Sequence, residues 1–503
     1  IGFFERAVRT NKLPYWLATG IFVALGLSTH YRFFLYPLAA VLFLTLYKPA
    51  RVYWFNSGFW VSAAIASIGL IPIVWFNLNN ELSSASFYFV NRHPWEFQLT
   101  GFLHLFKQAG VVTPPLYVIF AITLWKLYKR AKHQDQVAAM LFSFSATNIF
   151  VYLLLAPWTD ATSTSMHWPL SGYFPLLIFL PSILRECYQW SSNRWGHLIA
   201  RRLIFSIPVL GFTGTIIALV GVGTQAYQLP LQTLLGTNVL SNKMAGWKPF
   251  ATHTTALIRQ RFPREQPVII TDNYYTAAQI EFAGLSNETY TLDRDKAVRD
   301  GRITQIQLWQ KDELGLSTAL NRPALYINED STLTVSDKHD LLGVMCQHVN
   351  SIEFIDELNL FNGDKRFSYY LADRIIDRAS QPNSHSFPCP YPPRAWIDYP
   401  EPDAELSKTE NIRGWAYNED IGVQAVYLVV DDQRIGRTQY SIRREDVVDT
   451  MNVQQDPNAP ILGYSYSLDT SRLSNGLHRL AIEIENLQGT SYRYGDRVIQ
   501  VSN

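Results

Sequence analysis

Apolar residues crowd the first part of this chain and charge collects in the rest. Apolar runs fall near 13–28, 33–47, 57–77, 110–125, 137–157, 169–184 and 203–224. Each approaches the roughly 20 residues a helix needs to cross a bilayer core. One such run is compatible with a buried core helix. Seven, with charge alternating between them, predict about seven membrane spans in a domain over 1–226. The polar segments 1–12, 48–52, 126–132 and 185–202 are rich in Lys and Arg, while the alternate segments hold little beyond Arg32, Arg92 and Lys107. The positive-inside rule makes the first set cytoplasmic. Loops 28–33, 78–108 and 158–168 then face outward, and seven crossings place everything after Ala226 outside as well.

The second part changes period twice. Over 227–385, strand-like runs at 267–271, 323–327 and 367–371 and an amphipathic helix at 275–282 predict a small α/β domain. Asp272 ends the first of these strands and reads either as a ligand-facing residue or, preferably, as a helix cap. A linker, 386–393, closes a stretch rich in Pro and Ser. Residues 394–503 show short strands such as 426–430 and 480–484 with turn signals between them, which predicts an immunoglobulin-like β-sandwich. The expected architecture is a multi-span α-helical membrane domain, a small α/β domain and a C-terminal β-sandwich.

Composition adds three points. The net charge of +1 over 503 residues gives no footprint for nucleic acid. Of the three cysteines, Cys346 and Cys389 share the expected outer side, where a disulfide is permitted, and Cys187 does not. The spacing of Cys and His suggests neither a metal site nor a thiol nucleophile.

Candidate chemistry gathers in the expected outer loops. The hairpin Gly26-Leu27-Ser28-Thr29-His30-Tyr31-Arg32 holds a permanent cation between two apolar runs. Charge there is costly and faces either a protein cavity or, by snorkelling, lipid headgroups. Trp75, Asn77, Ser86-Phe87, Arg92 and His93 follow in the second loop, and Asp160, His167-Trp168-Pro169 and Tyr173 in and after the third. Trp and Tyr collect at membrane interfaces for their amphipathic rings alone. That habit does not account for His30, Arg92, His93 and His167 at one face.

The order of these elements resembles the bacterial members of glycosyltransferase family 39, the GT-C enzymes related to protein O-mannosyltransferases and aminoarabinose transferases. The resembling marks are Gly26–Tyr31, Trp75 with Asn77, Ser86-Phe87, His167-Trp168-Pro169 with Tyr173, and Gln305-Ile306-Gln307-Leu308-Trp309, across residues 13–375. His30 stands where the family commonly has Lys, with Arg32 as a nearby substitute. The resemblance implies transfer of a sugar from a polyprenyl-phosphate donor to a glycan, lipid or protein acceptor. The transfer takes place at the outer face of a bacterial cytoplasmic membrane. His30, Tyr31 and Arg32 are then the donor-phosphate group, and Asn77, Arg92, His93, Asp160, His167, Trp168 and Tyr173 line the substrate cavity. No resident cofactor is implied, though a divalent metal remains open. The family's catalytic carboxylate lies in a first outer loop that nothing here matches, so it is expected upstream of Ile1. Competing readings are a non-catalytic glycan-binding envelope protein and a lipid or polysaccharide transporter.

Overall fold

The computed structural model describes residues 1–93, 95–159, 167–228, 230–231, 241–377, 387–453 and 455–503. The chain forms two compact units, Ile1–Val220 with Arg299–Thr304, and Gly221–Val298 with Gln305–Asn503.

The first unit is helical. It runs α1 (Gly2–Thr10), α2 (Leu13–Thr29), α3 (Leu35–Leu46), α4 (Ser57–Ile68), α5 (Ile71–Asn79), α6 (Ser83–Ser86), α7 (His104–Val112), α8 (Pro114–Lys132), α9 (Gln136–Thr159), α10 (Leu170–Trp195) and α11 (His197–Thr224). All seven apolar runs fall on helices, but they do not give seven full-length crossings. Ser57–Asn79, Gln136–Thr159, Leu170–Trp195 and His197–Thr224 are long and apolar enough to span a membrane. Tyr31–Leu46 with Lys48–Phe55, and Leu99–Val112 with Pro114–Lys132, are each bent by 110° and bring the number to six. Leu13–Thr29 is shorter, at 17 residues. The breaks have a covalent cause. Pro49 and the Pro114-Pro115 pair start the second helix of each bent pair. Proline lacks the amide that would continue the preceding helix, and its ring disfavours a helical residue before it.

Two apolar clusters hold this unit together. Phe4, Ala7 and Val8 of α1 pack with Trp16, Phe43, Leu44, Met140 and Phe144. Within the basic segment 1–12, Gly2–Thr10 is therefore a helix with a buried face. Phe120, Leu127, Leu141, Tyr173 and Leu176 join α8, α9 and α10. α2 and α4 approach so closely at Gly20 that a Cβ there would stand 2.7 Å from the Ser62 carbonyl oxygen.

Among the described residues the second unit contains three sheets. The first has the order β2-β1-β3-β5-β4, built from β1 (Val268–Thr271), β2 (Thr289–Thr291), β3 (Ala324–Asn328), β4 (Ile352–Leu360) and β5 (Lys365–Ala372). β2, β1 and β3 are parallel, and β5 and β4 add antiparallel to them. Both faces are covered, which explains why β1 and β3 read as continuous apolar runs. Asn273, not Asp272, caps the helix Tyr274–Phe282, its side chain accepting from the Thr276 amide. Asp272 is fully buried and accepts from the Glu329 amide at 3.0 Å and from Asn273 Nδ2 at 2.8 Å.

The C-terminal strands pack as a sandwich. One sheet has the order β10-β9-β13-β14-β7 and the other β11-β12-β8-β6. Their ranges are β6 (Arg394–Tyr399), β7 (Glu405–Leu406), β8 (Thr409–Tyr417), β9 (Val423–Val430), β10 (Gln433–Arg437), β11 (Gln439–Arg443), β12 (Ile461–Asp469), β13 (Gly476–Asn486) and β14 (Ser491–Val501). Inward residues such as Ile412, Val426, Leu428, Leu480, Ile482 and Ile499 form its core. Cys346 and Cys389 are joined by a disulfide, with their Cα atoms 6.0 Å apart. The bond ties the helix Val335–Gln347 to the segment that leads into β6. Most of the Pro/Ser-rich stretch before that segment lies outside the described residues.

Candidate functional site

The site is built around one turn of 3₁₀ helix, Tyr31–Phe34, at the end of α2. His30 leaves the helical conformation and its Nδ1 accepts the Arg32 amide at 3.1 Å, so this histidine caps the turn. The turn also orients Arg32. Its Nε donates to the Tyr31 hydroxyl at 3.0 Å, and its guanidinium lies 3.6 Å from the centre of the Trp168 ring. Such a contact is an attractive cation–π pair.

The opposite wall comes from the segment after α5. Asn77 donates to the Ile73 carbonyl at 2.8 Å and accepts from the Ala85 amide at 2.9 Å, so it ties the end of α5 to α6. A π-helical turn, Phe87–Asn91, follows and delivers Arg92. Its guanidinium lies 5.5 Å from the Phe87 ring and 5.8 Å from the Trp168 ring. His93 Nδ1 donates to the Thr159 carbonyl at 2.9 Å, and its ring meets Trp168 edge-on at 5.7 Å. Backbone amides of Trp95 and Gln98 donate to the carbonyls of Trp158 and Pro157, acceptors that the end of α9 at Thr159 leaves without partners inside the helix.

These elements enclose a cavity of about 600 Å³ lined by Tyr31, Arg32, Asn77, Tyr88, His93, Trp95, Tyr152 and Trp168 together with apolar residues of α2, α3, α5 and α9. Trp168 is 7% exposed. Its indole nitrogen, and Nε of Arg92, are buried without a hydrogen-bond partner among the described residues. Two guanidinium groups thus converge on one buried ring. Among the described residues neither pairs with a carboxylate, and no carboxylate lines the cavity.

The sequence-derived candidates divide as follows. Tyr31, Arg32, Asn77, His93 and Trp168 line the cavity, and Arg92 reaches it through Trp168. His30 acts through the backbone of Arg32. His167 is exposed beside Trp168, at 6.5 Å edge-on, and burial, then Arg32 and Arg92, lower its pKa. Tyr173 is elsewhere: it stacks on Phe120 at 5.2 Å and donates to Gln108 Oε1 at 2.9 Å, a core role that removes it from the cavity. Asp160 lies outside the described residues. Tyr88, Trp95 and Tyr152 line the cavity although sequence reasoning did not select them. Tyr88 stands 3.8 Å from Tyr31, ring centre to ring centre. Its place in the polar stretch 86–93 was a usable signal, whereas Tyr152 sits inside an apolar run and gave none. Among the described residues no group of three or more His, Cys, Asp or Glu could hold a metal ion.

No family model matches the chain, and no curated protein does. Among solved structures, two with local similarity are an enzyme and a small module chain. An endo-β-1,4-mannanase from Thermotoga petrophila matches at 17% identity and a TM-score of 0.17, over 22% of this chain and 20% of the mannanase. Fibronectin(III)-like modules of Clostridium thermocellum CbhA match at 15% identity and a TM-score of 0.15, over 22% of this chain and 94% of the module chain. Likeness this slight carries no argument about the site.

Proposed function

We propose that this chain is a membrane glycosyltransferase of the GT-C kind, related to family 39, which takes a sugar from a polyprenyl-phosphate donor. The observation that supports this reading is the convergence of Arg32 and Arg92 on Trp168 at a largely apolar cavity. Two cations held near one another in a poorly solvated place repel, and an anion between them relieves the repulsion. Guanidinium forks match phosphate oxygens in both charge and geometry. The rest of the wall is apolar and aromatic, as an isoprenoid phosphate requires. A transport conduit is less well supported, because the charged groups lie at the ends of the helices instead of along a path through them.

In this account the chain's residues stabilise the leaving phosphate. The base that activates the acceptor hydroxyl is a carboxylate outside the cavity wall described above. In this reading Leu13–Thr29 counts as a crossing beside the other six, and the Lys/Arg alternation then supports an extracytoplasmic side of a bacterial cytoplasmic membrane for the cavity and for residues after Ala226. The test is transfer of radiolabelled sugar from polyprenyl phosphate by membranes that hold the full-length protein. Formation of a labelled product that requires Arg32 and Arg92 is expected. Labelled product in undiminished amount from an Arg32→Ala, Arg92→Ala double variant would overturn the assignment.

A further inference from the structure

A second cavity, of about 650 Å³, runs along a different flank of the first unit, between α3, the end of α8 and α9. One face of α9 forms its floor, with Ala139, Ser143, Ala146, Phe150 and Leu154 at helical spacing. From Ala139 to Leu154 the helix rises about 22 Å. That depth exceeds one leaflet of a hydrocarbon core about 30 Å thick.

Charge is confined to one end. Lys48 and Lys132 line that end with Tyr47 and Tyr128. Both lysines are exposed, and among the described residues neither pairs with a carboxylate. The Lys132 ammonium rests 4.7 Å from the Tyr128 ring centre, and the Tyr47 hydroxyl donates to the Gln134 carbonyl at 2.7 Å. Asp135 is close by in sequence, but one of its oxygens caps α9 by accepting the Ala138 amide at 3.0 Å. An apolar channel of leaflet depth with cations at one mouth is complementary to an amphiphile with one anionic head.

We propose that this groove is a binding site for an anionic phospholipid, with its phosphate at Lys48 and Lys132 and an acyl chain along α9. The groove shares only Val151 with the Arg32 cavity and contains none of that cavity's polar residues. It therefore stands whether or not the chain transfers sugar.

The test uses the purified full chain in detergent and lipid retention by native mass spectrometry. The probes are dioleoyl phosphatidylglycerol, dioleoyl phosphatidylcholine and inorganic phosphate. Phosphatidylglycerol should be retained roughly tenfold more strongly than phosphatidylcholine, given two basic side chains at the headgroup. Lys48→Gln with Lys132→Gln should erase the preference. These side chains are exposed, so the double variant should fold. Ala146→Trp, which fills the groove and leaves both lysines in place, should also erase it. Equal retention of the two lipids, or an undiminished preference in either variant, would overturn the proposal. Displacement of phosphatidylglycerol by an equal concentration of inorganic phosphate would also overturn it, since the acyl chain would then contribute nothing.

Discussion

Arg32→Ala should weaken binding of a polyprenyl monophosphate by about 100-fold. The estimate starts from what the guanidinium would supply. A charge-assisted hydrogen bond to phosphate contributes about 1.5–3 kcal/mol. The stacking on Trp168 at 3.6 Å holds the fork in place before the ligand arrives. Its loss would add roughly 0.5–1 kcal/mol. A sum near 3 kcal/mol is about two decades in affinity. Arg32→Lys keeps the charge but loses the fork and the planar stack, and should recover about one decade. Trp168→Ala leaves both arginines but frees them to move, and should fall between the two. The assay is a titration of the purified chain with farnesyl phosphate, with farnesol as the uncharged control. Farnesol binding should be nearly unchanged in all three variants. Equal losses for farnesyl phosphate and farnesol would show that the arginine acts on packing and not on the phosphate.

Three other outcomes are expected. Cys346→Ser with Cys389→Ser should lower the stability of the second unit by up to about 4 kcal/mol, from the 43-residue separation; thiol titration under denaturing, non-reducing conditions should find Cys187 alone reactive in the parent and in the variant. The Asp272 carboxyl is held at about 7 by burial. The folded state therefore binds more protons than the unfolded one between about pH 4 and 7, and stability should fall as pH rises through that window, by roughly 4 kcal/mol in all. Asp272→Asn should flatten most of that slope in thermal unfolding, leaving a residue of the same sign from Glu329, whose pKa burial also raises. A steep slope retained in Asp272→Asn would assign the effect elsewhere. Finally, a reporter active only in the cytoplasm, fused after Asn503, should be silent, and a bright fusion would reverse the orientation.

The helices of the first unit were legible in the sequence because hydrophobicity decides them, and every apolar run in the first 224 residues fell on helix. The number of crossings was not, since the chain bends by 110° before Lys48-Pro49, at the end of one run, and before Pro114, inside another. A window average over apolar residues does not register a break in backbone direction. β1, β3, β5, β9 and β13 could be read because their buried runs are continuous or strictly alternating. β14 was missed because Arg493 and Asp496 are exposed and Arg497 stands on the side of buried Ile499, so its period is masked by charge. Asp272 was assigned as a cap one residue too early, since Asp and Asn compete for that role on equal terms. At the site, Arg32, Asn77, His93 and Trp168 stood out as polar or amphipathic residues in apolar surroundings. Tyr173 looked the same and proved to be a core residue, because its hydroxyl found Gln108 on α7. Long-range partners of that kind are invisible in a linear pattern.

The account rests on an anion between Arg32 and Arg92, and structure determination of the full chain with added polyprenyl phosphate tests that most directly. The expected result is phosphate density within hydrogen-bonding reach of both guanidinium groups, with the isoprenoid chain leaving through the apolar part of the Arg32 cavity. Ordered polyprenyl phosphate seated elsewhere, with the Arg32 cavity vacant or filled by a protein carboxylate, would contradict it.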